Sequence, residues 1–203
     1  MSQAIAPTRK KREKFKDNLL FFGKFLKHGT KIASIWPSSP QLARATIKKV
    51  DWAKCKVVVE LGAGTGPITE AVIAKLKPHT HFIAIERDKD FAKILQERFS
   101  GMPNVEIVCG DVRDLSNILK ERGIKHVDYF VSGLPTPSLP PAVRKRMFAS
   151  VRKHMAPGGG YSNITEIPLL YWQYYKKFFK HVHFDFVPVN MPPAGVYHCK
   201  SIK

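Results

Sequence analysis

Hydrophobic and polar positions alternate along the chain in blocks of two periods. Val57, Val58 and Val59 are apolar on every residue, the pattern of a parallel strand buried on both faces. The run breaks at once into Glu60-Leu61-Gly62-Ala63-Gly64-Thr65-Gly66, and Pro67 then suits the first turn of a helix through Ile68, Ala71, Val72 and Leu76. His81 to Ile85 reads as a second strand closed by Glu86, and Phe91 to Phe99 as a helix. Val105 to Cys109 reads as a third strand that ends at Gly110-Asp111, with Asp114 placed to cap a helix through Leu119. Val127 to Val131 is a fourth strand, residues 142 to 154 a helix, and Tyr161 to Thr165 a fifth strand behind the Pro157-Gly158-Gly159-Gly160 turn. Leu169 to Phe179 is expected to be an aromatic helix, and His181 and His183 fall on one face of a following strand, where they read as structural. Val187 to Tyr197 reads as the turn between two closing antiparallel strands. Strand, helix, strand in regular succession predicts an α/β protein with a doubly wound sheet.

Two segments stand outside that alternation. In the first 31 residues, Phe15, Leu19, Phe22 and Leu26 recur at helical spacing, widened by Leu20, Phe21 and Phe25. Nine basic residues against two acids surround that stripe. This is the pattern of an in-plane interfacial helix, although the same stripe would equally pack on a domain while its lysines face water. Residues 1–31 are thus set apart as a basic amphipathic arm, and 32–203 as one α/β domain. The second segment is Ser132-Gly133-Leu134-Pro135-Thr136-Pro137-Ser138-Leu139-Pro140-Pro141, whose four prolines bar a regular helix or central strand. It predicts a rigid loop at the carboxyl edge of the sheet, with fixed backbone carbonyls suited to holding an amine.

Charge changes the picture most. The chain of 203 residues carries 34 basic and 16 acidic side chains, a net of +18, which calls for an anionic partner, nucleic acid or a lipid surface. The 44% apolar content is that of a globular chain. Cys55, Cys109 and Cys199 form no Cys-x-x-Cys pair, so neither a disulfide framework nor a zinc site is expected, and a reducing cytosol is. No apolar run of about 18 residues is present, and the basic start leads into no leader-like apolar core.

Candidate chemistry gathers at the strand ends. Gly62, Gly64 and Gly66 allow a sharp turn and let a ligand press on bare backbone. No Lys-Ser or Lys-Thr follows, which argues against a triphosphate loop, and Glu60 beside the glycines argues for a cationic ligand. Glu86, about 20 residues beyond the loop, stands where such folds hold ribose hydroxyls. Ser39 is placed to cap a helix beginning at Pro40, which leaves the hydroxyl of Ser38 for a ligand cavity.

Glu60-Leu61-Gly62-Ala63-Gly64-Thr65-Gly66 resembles motif I of the S-adenosylmethionine-dependent methyltransferases. Joined to Pro37-Ser38-Ser39-Pro40, Ser132-Gly133-Leu134-Pro135 and Asn190-Met191-Pro192-Pro193-Ala194, it makes the chain resemble the bacterial phospholipid N-methyltransferases, which convert phosphatidylethanolamine to phosphatidylcholine. The resemblance implies a seven-stranded Rossmann-like sheet with helices on both faces and an antiparallel C-terminal hairpin. It implies S-adenosylmethionine as cofactor, with the loop residues Gly62, Ala63, Gly64 and Gly66 around its methionine end and Glu60 towards its ammonium group. Glu86 and Arg87 would serve the ribose, Asp111 and Val112 the adenine, and Ser38 and Ser132 complete that set. Substrate contacts fall on Ser39, Gly133, Leu134, Pro135 and Asn190. Ser132, Tyr161, Glu166 and Tyr197 are candidates to take the proton from a lipid amine, and no metal is implied. The expected setting is the cytoplasm, as a monomer docked through the N-terminal helix on the anionic inner face of the cell membrane.

The chain departs from that family at Thr165-Glu166-Ile167-Pro168, where Tyr-Gly-Pro is expected, and at Val189, where arginine is usual. Both bear on how a headgroup phosphate is held. Ornithine-lipid N-methyltransferases are relatives with the same pattern. Ribosomal RNA adenine methyltransferases are more distant ones, usually with Asn-Leu-Pro-Tyr in place of Ser132 to Pro135 and a further helical domain after the sheet. Nucleic acid is therefore the less expected partner. A non-enzymatic membrane module would explain the arm but not Glu60, Glu86 and Asp111 at successive strand ends.

Overall fold

The computed structural model describes residues 39–165, 170–188 and 193–203. The arm of residues 1–31, and Ser38, Glu166 and Asn190 among the candidate site residues, lie outside the described residues.

Helix α1 (Pro40–Thr46) starts where Ser39 Oγ accepts from the Leu42 amide at 3.2 Å, so the expected cap is present and this hydroxyl serves the helix. The remaining elements are β1 (Val57–Leu61), α2 (Pro67–Ile73), β2 (His81–Glu86), α3 (Lys89–Arg98), β3 (Val105–Cys109), α4 (Leu115–Glu121), β4 (Val127–Ser132), α5 (Pro141–His154), β5 (Met155–Thr165), α6 (Trp172–Lys176), β6 (Phe179–Val187) and β7 (Ala194–Ile202).

The seven strands form one sheet in the order β3-β2-β1-β4-β5-β7-β6. β3, β2, β1, β4 and β5 run parallel, whereas β7 pairs antiparallel with both β5 and β6. Helices cover both faces, which is why Val58 to Leu61 are buried without interruption. On one face Val59, Leu61, Ile83 and Ile85 pack with Leu115 and Leu119 of α4 and Met147 and Val151 of α5. On the other, Val58, Phe82 and Ala84 pack with Ile47, Ile68, Val72 and Leu95. The chain leaves β1 towards β2 and returns to β4 on the opposite side. The switch point of the sheet therefore lies between the loops that follow β1 and β4.

Three local expectations are corrected. The aromatic segment is not one helix from Leu169 to Phe179: α6 spans only Trp172–Lys176, and Phe179 opens β6 opposite Ile202. Tyr175 and Phe179 are both fully buried, and the chain extends as soon as a sheet partner is within reach. β5 begins at Met155 rather than Tyr161, with a register shift where Met155 pairs with Val127 and Gly160 with Tyr129. Gly160 is required there, because a Cβ would fall 2.8 Å from the Tyr129 ring carbon Cδ2. Asp114 makes no cap hydrogen bond; Asp111 caps the 3-10 turn Val112–Asp114 instead, while Asp114 Oδ1 meets Arg146 at 3.1 Å.

His183, exposed on β6, has its Nε2 2.8 Å from Asp185 Oδ1. All three cysteines are free thiols. Among the described residues no helix is long and apolar enough to cross a membrane.

Candidate active site

The loop after β1 is built by its glycines. Gly62, Gly64 and Gly66 have φ of 76°, 54° and 90°, in the left-handed region that other residues adopt at a cost. The Gly62 and Ala63 amides donate to the Ile85 carbonyl at 2.9 and 3.2 Å, which folds the loop back over the end of β2. Gly62 also meets the loop after β4. A Cβ on it would lie 2.7 Å from Leu134 Cγ, and one on Gly133 would lie 2.7 Å from the Gly62 carbonyl. The two loops of the switch point thus interlock through bare backbone. A Cβ on Gly64 would touch nothing within 4 Å, so this glycine faces the open side, where a ligand can approach.

Three carboxylates surround the loop in different states. Glu60 is fully buried, with Oε2 accepting from Thr69 Oγ1 at 2.7 Å and Oε1 buried with no partner. Burial pushes its carboxyl up to about 8. A buried orphan oxygen beside an open glycine loop is the acceptor that a cationic ligand group would satisfy. Glu86 accepts from the Gly64 amide at 2.7 Å and the Asp88 amide at 2.8 Å, and so holds the loop shut against β2. Each of its oxygens keeps a second lone pair for a ligand hydroxyl. Asp111 accepts from the Arg113 amide at 2.8 Å and its guanidinium at 2.9 Å, and that bonding holds its carboxyl below the usual range. Arg87 is exposed beside it, and Val112 is half-buried against the core.

Across the switch point, Ser132 is fully buried, and its Oγ accepts from the Leu134 amide at 3.3 Å. The expectation of free carbonyls along the proline loop is corrected here. The Leu134 carbonyl accepts from the Thr136 amide, that of Pro135 from Ser138, that of Thr136 from Leu139, and that of Pro137 from the Arg144 side chain. The 3-10 turn Thr136–Ser138 takes the carbonyls of Pro135 and Thr136, and the Thr136 amide and the Arg144 side chain take the other two. Among the carbonyls that receive no donor from within the loop are those of Ser132 and Gly133, at its β4 end.

The loop is pinned by a residue that sequence reasoning missed. Asn163, fully buried and paired with Ser132 in the sheet, accepts through Oδ1 from Thr136 Oγ1 at 2.6 Å and from the Tyr161 hydroxyl at 2.9 Å. Its Nδ2 donates to the Leu134 carbonyl at 3.2 Å. Tyr161 is a donor in this network, and burial pushes its hydroxyl well above the ordinary tyrosine range, which favours its protonated form. Tyr197 is likewise fully buried, with its oxygen accepting from the Tyr171 amide at 3.2 Å. Both candidate tyrosines are bonded into the buried wall behind the loop.

The sheet register brings Glu60 level with Ala84 and Val131, Leu61 with Ile85 and Ser132, and Glu86 with Cys109. Gly62–Gly66, Glu86, Asp111 and Ser132–Pro135 therefore share one rim. A cavity of about 250 Å³ lined by Lys49, Lys54, Tyr129 and Gly158 lies at the opposite edge of the sheet and shares no residue with this rim. Among the described residues no cluster of three metal-ligating side chains occurs.

An open glycine loop, an orphaned buried acid at the end of β1 and further acids after β2 and β3 make this a nucleotide-cofactor rim built for a cation. Residues 58–159 match the family described as "Methyltransferase domain", and the chain belongs to the S-adenosylmethionine-dependent methyltransferases. It is 50% identical over 188 residues to the ornithine lipid N-methyltransferase of Singulisphaera acidiphila, a match covering 93% of this chain and 98% of that protein. It is 34% identical over 114 residues to ribosomal RNA small subunit methyltransferase A of Thermotoga neapolitana, covering 56% of this chain and 40% of that one. In fold it is similar to Burkholderia thailandensis 1,6-didemethyltoxoflavin-N1-methyltransferase, crystallised with S-adenosylhomocysteine. There the TM-score is 0.62 at 14% identity, covering 100% of this chain and 94% of the other. S-adenosylmethionine is accordingly the cofactor, and the rim fits it.

Proposed function

We propose that the chain N-methylates the side-chain amine of an ornithine-type membrane lipid. The observation that carries this reading is the 50% identity with an ornithine lipid N-methyltransferase over nearly the full length of both chains. It favours an ornithine headgroup over the phosphatidylethanolamine expected from the motifs. Val189, where the phosphatidylethanolamine family carries arginine, agrees with a headgroup that has no phosphate to bind. The ribosomal RNA relative matches only part of each chain, and Ser132 to Pro135 offers no aromatic ring to stack a base.

S-adenosylmethionine supplies an electrophilic methyl on a sulfonium, so the protein's task is alignment and desolvation. The glycine loop holds the methionine end, and Glu60 Oε1 neutralises its ammonium group. Glu86 takes the ribose hydroxyls and Asp111 the adenine amino group. The carbonyls of Ser132 and Gly133 accept hydrogen bonds from the substrate amine and direct its lone pair, and Asn163 and Thr136 keep that corner rigid. A free amine has a pKa of about 10 and is protonated at neutral pH. Burial at this rim lowers that value, and the proton passes to water before the neutral amine takes the methyl group. The reaction takes place at the membrane's inner face, with the basic arm as a lipid contact.

Competition tests the substrate. Purified protein, labelled S-adenosylmethionine and vesicles holding ornithine lipid and phosphatidylethanolamine in equal amounts should give label in ornithine lipid first. Label confined to phosphatidylethanolamine would overturn the headgroup assignment.

A further inference from the structure

At the carboxyl edge the sheet carries a surface that methyl transfer does not use. β6 sets Phe184 opposite Tyr197 and Phe186 opposite Gly195, and residues two apart on a strand share a face. The Phe184 ring lies 4.9 Å from that of Tyr197, and the Trp172 ring 6.4 Å from the same tyrosine. Leu170, two residues before Trp172, is 66% exposed and Phe186 is 55% exposed. Gly195 also pairs with Thr165, so Phe186 stands level with the end of β5, two residues beyond Asn163. An aromatic and aliphatic patch therefore continues from the site's rim onto the outer strands.

Its surroundings name the partner. Lys176 and Lys177 close the turn that carries Trp172, and from residue 170 to 203 the chain holds a single acidic side chain, Asp185. Asp185 alternates with Phe184 and Phe186, so it faces the other side of the sheet, where Lys48 Nζ meets it at 3.0 Å. Lys176 Nζ lies 5.6 Å above the Trp172 ring, a tryptophan and lysine pair of the kind that settles at headgroup depth. Exposed Leu170 and Phe186 and half-buried Trp172 and Phe184, with Lys176 over the Trp172 ring and no acid on their face, match an anionic lipid surface in both charge and polarity.

We infer that Leu170, Trp172, Phe184 and Phe186 form a seat by which the methyltransferase fold itself enters the interface of an anionic bilayer, holding the site's mouth at the depth of a lipid amine. The inference rests on the lipid reading above and adds to it a second membrane contact besides the arm.

The test uses the full chain and vesicles of phosphatidylglycerol and phosphatidylethanolamine. L170E/F186E should lower vesicle partitioning by about tenfold or more, since two apolar anchors are lost and two like charges are added. S-adenosylhomocysteine affinity and thermal midpoint should be unchanged. The uncharged L170Q/F186Q should move in the same direction, which separates insertion from charge repulsion. Unchanged partitioning of both variants overturns the seat. So does a change in sedimentation without a change in partitioning, because the patch would then cover a second copy or the chain's own arm. Methylation of detergent-dispersed lipid is scored apart. A parent that seats through these residues yet methylates no lipid refutes the substrate and leaves the seat standing. Variants that methylate dispersed lipid and still bind vesicles like the parent refute the seat alone.

Discussion

At the scale of single residues, Glu60 is the sharpest case. Its carboxyl is raised to about 8, so the folded protein keeps a proton that the unfolded chain releases near the ordinary 4.5. The stabilisation is therefore full below 4.5, falls as pH rises, and is gone above about 8. Chemical denaturation should show that slope in the parent and its loss in Glu60→Gln. A cationic ligand favours the ionised acid. Affinity for S-adenosylmethionine should therefore climb between about pH 6 and about pH 7.5, by at most about tenfold per unit, with proton release seen by calorimetry. A flat affinity profile in the parent would place the ligand's cation elsewhere. Gly62 gives a second case: Gly62→Ala forces a left-handed φ on alanine and drives its Cβ into Leu134. The expected cost is about 1–3 kcal/mol, read as a lower thermal midpoint and a weakened S-adenosylhomocysteine complex. The glycine spacing and the three acids were legible in the sequence because each needs a particular residue type. Their bonding state was not. That Glu86 holds Gly64, or that Asp111 is tied to Arg113, depends on contacts between groups far apart or on backbone still unfolded.

At the scale of elements, the proline loop was legible as rigid but not as self-satisfied. Proline spacing predicts the absence of regular structure, whereas the 3-10 turn, the Thr136 amide and the Arg144 side chain that together take four carbonyls depend on how the folded loop lies, with Thr136 bonded to Asn163. Asn163 itself gives no signal in the sequence, since one amide among Tyr161, Ser162 and Ile164 reads as the polar half of a strand. Only the pairing of Asn163 with Ser132 makes it part of the site. Asn163→Ala should lower the methyl-transfer rate by about 100-fold, the scale expected when a reacting group is misplaced by an ångström. S-adenosylhomocysteine affinity should stay near that of the parent. A proportional loss of both would assign Asn163 to cofactor binding instead. The aromatic segment failed as a predicted helix for a related reason: Tyr175, Phe178 and Phe179 satisfy a helical stripe, yet Phe179 gains a strand partner in Ile202.

At the scale of the whole molecule, alternating strands and helices, a switch point and a net charge of +18 set out an enzyme rim on a fold carrying excess positive charge. The closing antiparallel hairpin was readable from the terminal pattern, whereas the insertion of β7 between β5 and β6 was not, because a hairpin does not say which of its strands pairs with β5. Selection among amine lipids was not, because it depends on a headgroup that the motifs do not encode. The central claim is methyl transfer to a lipid amine. The most direct measurement incubates the protein with labelled S-adenosylmethionine, detergent-dispersed ornithine lipid and ribosomal RNA together, then separates the lipid and RNA fractions. The account predicts label in mono-, di- or trimethylated ornithine lipid and a blank RNA fraction. Label in RNA with unmodified lipid would contradict it.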